Sequence, residues 1–180
     1  MQLTKFLAIL VALSLSASLL AQNTVTYSTP EYDLDYPENW ELDESKTKGP
    51  AIFFFSPVED EEDQFRENVN IMVQDLSGTG LDFKGYIDLS KDQFKGFGAK
   101  VYELRVVEEP TDGVQEAILS YAMEQFGLQL RCYQRLKMID DTAYLITFTA
   151  EEDNYETFLK EGKNLLNSFS LKLSESPERE

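Results

Sequence analysis

The chain has 180 residues, and its 33 acidic side chains against 16 basic ones give a formal net charge of −17. That excess excludes a nucleic-acid backbone binder, which needs cations to displace counterions, and it argues against docking on anionic lipid. There is no histidine and one cysteine, Cys132, which removes imidazole-based catalysis, imidazole metal sites, internal disulfides and CxxC chemistry.

Lys5 precedes an apolar run from Phe6 to Leu20, with small residues near its end. This is the pattern of a secretory signal peptide, residues 1–21, with cleavage after Ala21 or, alternatively, after Ser18. The run is shorter than the ~20 apolar residues that a membrane-crossing helix needs. Residues 22–173 are expected to form one domain. The charged segment 174–180, with Pro177, is expected to be disordered.

Val25 to Tyr27 is β-prone, and Tyr32 to Tyr36 alternates with period two. Trp40 to Leu42, Ala51 to Phe55 and Asn68 to Leu76 also read as strands. Between the last two lies the acidic run Glu59, Asp60, Glu61, Glu62, Asp63. From Asp82 to Phe97 the spacing turns helical, with Phe83, Tyr86, Ile87, Phe94 and Phe97 on one stripe. Val101 to Val107 is a strand.

A meander of three strands follows: Val114 to Gln125, Leu130 to Ile139 and Thr142 to Ala150. A type II′ turn at Gly127-Leu128 would pair Met123 with Cys132 and Leu119 with Leu136. The third strand is apolar on both faces, which predicts a central strand covered on both sides. Glu151 to Leu166 is the second helix, with Tyr155, Phe158, Leu159, Leu166 and Phe169 on a stripe that includes small Gly162. Ser168 to Leu173 closes the domain as a strand. The order predicts an α+β fold with a mostly antiparallel central sheet flanked by helices, an α/β/α sandwich.

The acidic run Glu59 to Asp63 reads as a solvated loop or, in the alternative, as a calcium site built from carboxylate oxygens. Arg131, Tyr133, Arg135 and Lys137 form a basic stripe on one strand face. It is either a docking face for an acidic partner or a set of cross-strand ion pairs, with Glu124 beside Arg131 and Ser120 beside Arg135. Tyr32, Tyr36 and Trp40 either close the core or rim an apolar pocket. Asp33 and Asp35 share a strand face and are the weak basis for a carboxylate hydrolase. No glycine-rich phosphate loop or catalytic motif is present.

The opening Tyr32-Asp-Leu-Asp-Tyr-Pro-Glu-Asn-Trp40, the strand Asn68-Val-Asn-Ile-Met-Val73 and the closing Phe148-Thr-Ala, Tyr155, Phe158 and Asn167-Ser-Phe169 resemble the PsbP-like superfamily, including its DcrB-type bacterial proteins. The resemblance spans about Val25 to Leu173. It implies a central antiparallel sheet flanked by helices, and a non-enzymatic binding or assembly role outside the cytoplasm. In photosynthetic members that role is retention of calcium and chloride. This chain lacks histidine and the long basic N-terminal extension of the plant proteins, so no individual functional residue is carried over. The expected protein is exported, periplasmic or secreted, with no cofactor beyond the calcium alternative. Its partner would be an unidentified envelope protein or ligand. A carrier of a small apolar ligand between sheet and helix is the second expectation.

Overall fold

The computed structural model describes residues 23–47, 49, 51–61, 63–108 and 112–173. The expected leader and tail lie outside them. In chain order the elements are β1 (Thr24–Ser28), β2 (Tyr32–Pro37), β3 (Glu41–Asp43), β4 (Ile52–Phe55), β5 (Asn68–Asp75), α1 (Phe83–Gly96), β6 (Lys100–Val106), β7 (Gln115–Gln125), β8 (Leu128–Ile139), β9 (Thr142–Glu151), α2 (Tyr155–Ser168) and β10 (Ser170–Leu171). The fold is α+β, as the chain order of strands and helices predicts. Seven strands form one antiparallel sheet in the order β3-β4-β5-β9-β8-β7-β6. A second, three-stranded sheet has the order β1-β2-β10.

The two-sided strand sits where its composition puts it. β9 is the middle strand of seven. Its residues Tyr144, Ile146, Phe148 and Ala150 join Phe54, Val69 and Ile71 in one buried cluster. That cluster is closed by Leu165 and Leu166 of α2 and by Tyr32 and Leu34 of β2. Ala143 lies in the other cluster, with Leu119, Cys132, Leu136 and the buried α1 residues Phe83, Tyr86 and Ile87. The period-two alternation of each strand therefore sorts side chains between two cores, one under α2 and one under α1.

Local signals set the helix ends. The Asp82 side chain accepts a 2.7 Å bond from the Gly85 N–H and caps α1. Gly98, at φ +68°, follows the last turn. Phe97 was expected on the apolar stripe but is 76% exposed, because the helix ends one residue before it. α2 begins at Tyr155, four residues later than the sequence suggests. Glu151 still belongs to β9, and Glu152 to Asn154 make the turn.

The β7–β8 hairpin differs from expectation by two residues. The turn is Phe126-Gly127, which places Tyr121 opposite Cys132, Leu119 opposite Gln134 and Ala117 opposite Leu136. Phe126 has φ +55° and Gly127 φ +82°, the two positive values of a type I′ turn. A two-residue slip keeps every side chain on its face, so alternation alone does not distinguish the two registers.

Gly162 lies where α2 meets β9. A Cβ there would stand 2.4 Å from the Phe148 ring, closer than any packed atom tolerates. Gly162→Ala should gain up to ~1 kcal/mol of helix propensity and lose more by forcing helix and strand apart. We expect a net loss of about 1–3 kcal/mol in a denaturant melt. A neutral or stabilising result would show that this approach is not tight.

Candidate functional site

The acidic run is a loop between β4 and β5, and its Glu62 lies outside the described residues. Glu59, Asp60 and Glu61 are exposed. Asp63 turns back on the backbone, accepting from the N–H groups of Glu59 (3.2 Å) and Phe65 (3.0 Å). Among the described residues no group of three acidic, cysteine or histidine side chains is arranged to hold a metal ion.

Glu67 is a different matter. It is 0% exposed, and neither carboxylate oxygen has a hydrogen-bond partner of normal geometry. The neighbouring Ser56 hydroxyl is orphaned as well. Burial raises the Glu67 pKa, and the charges of Glu59 and Asp63 push it the same way. A weak interaction with the Asn154 side chain gives partial relief. The sequence carries the signal for this placement. Positions 67, 69 and 71 share a parity, and Val69 and Ile71 are core.

The basic stripe faces α2, and its charges are taken up within the chain. Arg135 Nε donates to Glu116 Oε1 at 2.6 Å, and Lys137 Nζ to Glu116 Oε2 at 3.1 Å. Arg135 also donates to Asn167 Oδ1. Arg131 stacks on the Tyr155 ring at 4.2 Å and pairs with Glu156 at 3.3 Å. Lys163 of α2 lies over the Tyr133 ring at 4.5 Å. Tyr133 is thus half-covered. The expected partners Glu124 and Ser120 are replaced by Glu116, α2 and Tyr102 through the two-residue hairpin slip.

Tyr32 and Trp40 are buried in the core beneath α2, and Tyr36 packs against it with its ring 4.9 Å from that of Phe54. All three pack in or against the buried cluster beneath α2. Asp33 pairs with Lys172 at 2.7 Å and accepts from Ser28, and Asp35 accepts from Thr26 at 2.6 Å. Each of these carboxylates is thus engaged by a neighbouring strand.

What the sequence reading missed is on the opposite face. Cross-strand register brings Asn68, Thr149, Cys132 and Tyr121 into one row. Asn70, Thr147, Gln134 and Leu119 form the next. These rows floor a groove bordered by Tyr86, Ser90 and Phe94 of α1, with a cavity of about 310 Å³. It runs on, through Asn70, Leu130 and Thr149, into a second hollow of about 850 Å³ beside Phe53, Phe55 and Phe126.

The inner half is lined without a single charged side chain. Tyr86 donates to Gln74 Oε1 at 2.5 Å, and Cys132 Sγ lies 3.6 Å from Thr149 Oγ1. Burial pushes the Cys132 thiol up to about 11, and the Tyr121 phenol is raised by the same cause. Gln134, 5% exposed, and Thr147, 8% exposed, line the same cavity. The signal for this groove was the polar parity of Asn68, Asn70 and Gln74, which resembles a solvent-facing strand edge.

No family model matches the sequence, and no curated protein matches it. Solved structures do match in fold. Cyanobacterial PsbP (CyanoP) from Synechocystis sp. PCC 6803 superimposes with a TM-score of 0.64 at 15% identity, covering 88% of this chain and 98% of that one. PA94 from Pseudomonas aeruginosa, a protein of unknown function described as a putative regulator, gives 0.56 at 18% identity over 86% and 98%. LpqN, involved in cell envelope biogenesis of Mycobacterium tuberculosis, gives 0.56 at 12% identity over 83% and 89%. The fold is PsbP-like. No helix among the described residues is long and apolar enough to cross a membrane.

Two predictions concern the buried carboxylates. Because the folded-state pKa of Glu67 is raised above its ordinary 4.5, the folded chain holds the proton more tightly than the unfolded one. The contribution of Glu67 to stability should therefore fall as pH rises above ~4.5, and Glu67→Gln should stabilise by about 1–3 kcal/mol at neutral pH while removing that contribution's pH dependence. Melting temperature against pH for both proteins checks it.

Glu116 has the opposite sign. Burial alone would raise its pKa, but the bonds from Arg135 and Lys137 outweigh burial and lower it. Its contribution is present above ~4.5 and is lost as pH falls through the depressed value. Glu116→Ala strands two half-buried cations and should cost about 3 kcal/mol. Urea melts at neutral and acidic pH should show that loss shrinking with acid.

Proposed function

We propose that the chain is an exported, non-enzymatic binding protein whose working element is the groove on the α1 side of the large sheet. The leader-like start of the sequence supports export, and so does the likeness in fold to a protein involved in cell envelope biogenesis. A binding role fits the groove's chemistry. With no histidine in the chain, and with the Cys132 thiol and the Tyr121 phenol both raised by burial, the inner groove offers no group poised for proton transfer near neutral pH. The engagement of Arg135 and Lys137 by Glu116 and of Arg131 by Glu156 supports a structural role for the basic stripe.

The observation that carries this reading is a concave cavity, free of charged side chains in its inner half, in which the amides and hydroxyls of Asn70, Gln134 and Thr147 stand among apolar walls. Pockets of this size that combine apolar walls with a few polar groups are the common form of ligand site.

The test uses Nile red, an uncharged dye whose emission reports an apolar surrounding. The purified protein should bind it saturably with a blue shift. Thr149→Trp and Asn70→Trp each place an indole at the junction of the two hollows. Either variant, if folded by circular dichroism, should weaken binding at least ~10-fold. Absence of binding to the wild-type protein, or equal binding by a folded Trp variant, would contradict the reading.

A further inference from the structure

We infer that the groove takes an uncharged amphiphile, a molecule with an apolar body and amide or hydroxyl groups, clamped at the groove mouth by Phe126. The inference rests on the groove being the binding element and adds the chemistry of its occupant.

The wall composition sets that chemistry. Met72, Leu119, Leu130, Leu136, Leu145 and Phe94 supply apolar contact for a hydrocarbon body. Between them Gln134 and Thr147 stand in a sheet row with Asn70. An amide side chain both donates and accepts, and so does a hydroxyl. Groups of this kind are best matched by a ligand that also donates and accepts, as a neutral amide or hydroxyl does. A charged group would enter a cavity holding no opposite charge and would lose its hydration without compensation. The surrounding field, from a chain of net charge −17, disfavours an anion further. The outer hollow does carry charge, Glu41 paired with Arg66 at 2.7 Å together with Asp43 and Asp63, so the uncharged inner half is where the polar head of the ligand sits.

Phe126 supplies a second, independent observation. It is 93% exposed, the most exposed of the large apolar side chains among the described residues, and it lines the outer hollow. It also holds a left-handed backbone, φ +55°, in a turn position that asparagine or glycine occupies at lower energy. An aromatic ring kept in water on a strained backbone gains nothing for the fold. It gains if a ligand's apolar body lies between it and the stacked rings of Phe53 and Phe55, whose centroids are 5.5 Å apart.

Decanamide, decanoate and decylammonium present one chain with neutral, anionic and cationic heads. Calorimetric titration of each into the purified protein at neutral pH should give decanamide an affinity at least ~10-fold above both charged probes. Gln134→Leu should bring the three within ~3-fold of one another by removing the amide's partner. Phe126→Asn should weaken decanamide about 10-fold while the melting temperature stays level or rises, because asparagine suits the turn. A purely structural Phe126 would do the reverse. Equal or tighter binding of either charged probe overturns the inference while leaving the groove as a binding site. So does a preference unchanged in Gln134→Leu, or an affinity unchanged in Phe126→Asn. Failure of all three probes, with Nile red also unbound, removes the groove reading itself.

Discussion

One helix cannot cover seven strands, and the rest of the molecule follows from that mismatch. Adjacent strands stand ~4.8 Å apart, so the large sheet is on the order of 30 Å wide. α1 has 14 residues, about 21 Å of length and roughly 10 Å of width. On the other face α2 shares the task with a whole second sheet, and the core there is continuous from Phe54 to Phe148. On the α1 face nothing comparable exists. The strands respond by placing asparagine, threonine and glutamine where the helix does not reach. These side chains, with the leucines between them, leave a groove beside the smaller core under α1.

The two faces therefore divide the labour. The α2 face holds the fold together through aromatic packing, the Gly162 contact and the Glu116–Arg135–Lys137 cluster. The α1 face keeps concavity and a lining of amide and hydroxyl side chains. Glu67 marks the border. It sits on the core side of β5's start, fully buried and with no hydrogen-bond partner of normal geometry, where an apolar residue would serve stability better. Burial raises its pKa, so its own contribution to stability runs opposite in sign to that of Glu116, whose pKa is lowered.

Much of this architecture is legible in the sequence because alternation and composition act locally. β9 could be placed at the centre from its two apolar faces alone, and Asp82 announces the start of α1. Register was less legible: Phe126 at positive φ is a choice that local preference argues against, so a glycine-first turn looked better and the hairpin slipped by two. The groove escaped for another reason. Asn68, Asn70 and Gln74 obey the pattern of a solvated strand face, and alternation gives the face of a side chain without saying whether water or a ligand covers it. Tyr32 and Trp40 drew attention as aromatics, yet aromatic bulk is as useful in a core as at a rim. Glu67 shares the parity of Val69 and Ile71, but a carboxylate four residues past the run Glu59 to Asp63 reads as an extension of the solvated loop.

The most direct measurement is two-dimensional NMR of nitrogen-15-labelled protein titrated with decanamide. The account predicts saturable shifts of the side-chain amides of Gln134 and Asn70 and of the Phe126 and Gly127 backbone, with Leu165, Leu166 and Phe169 beneath α2 unmoved. Shifts concentrated under α2, or spread over the surface without saturation, would contradict it.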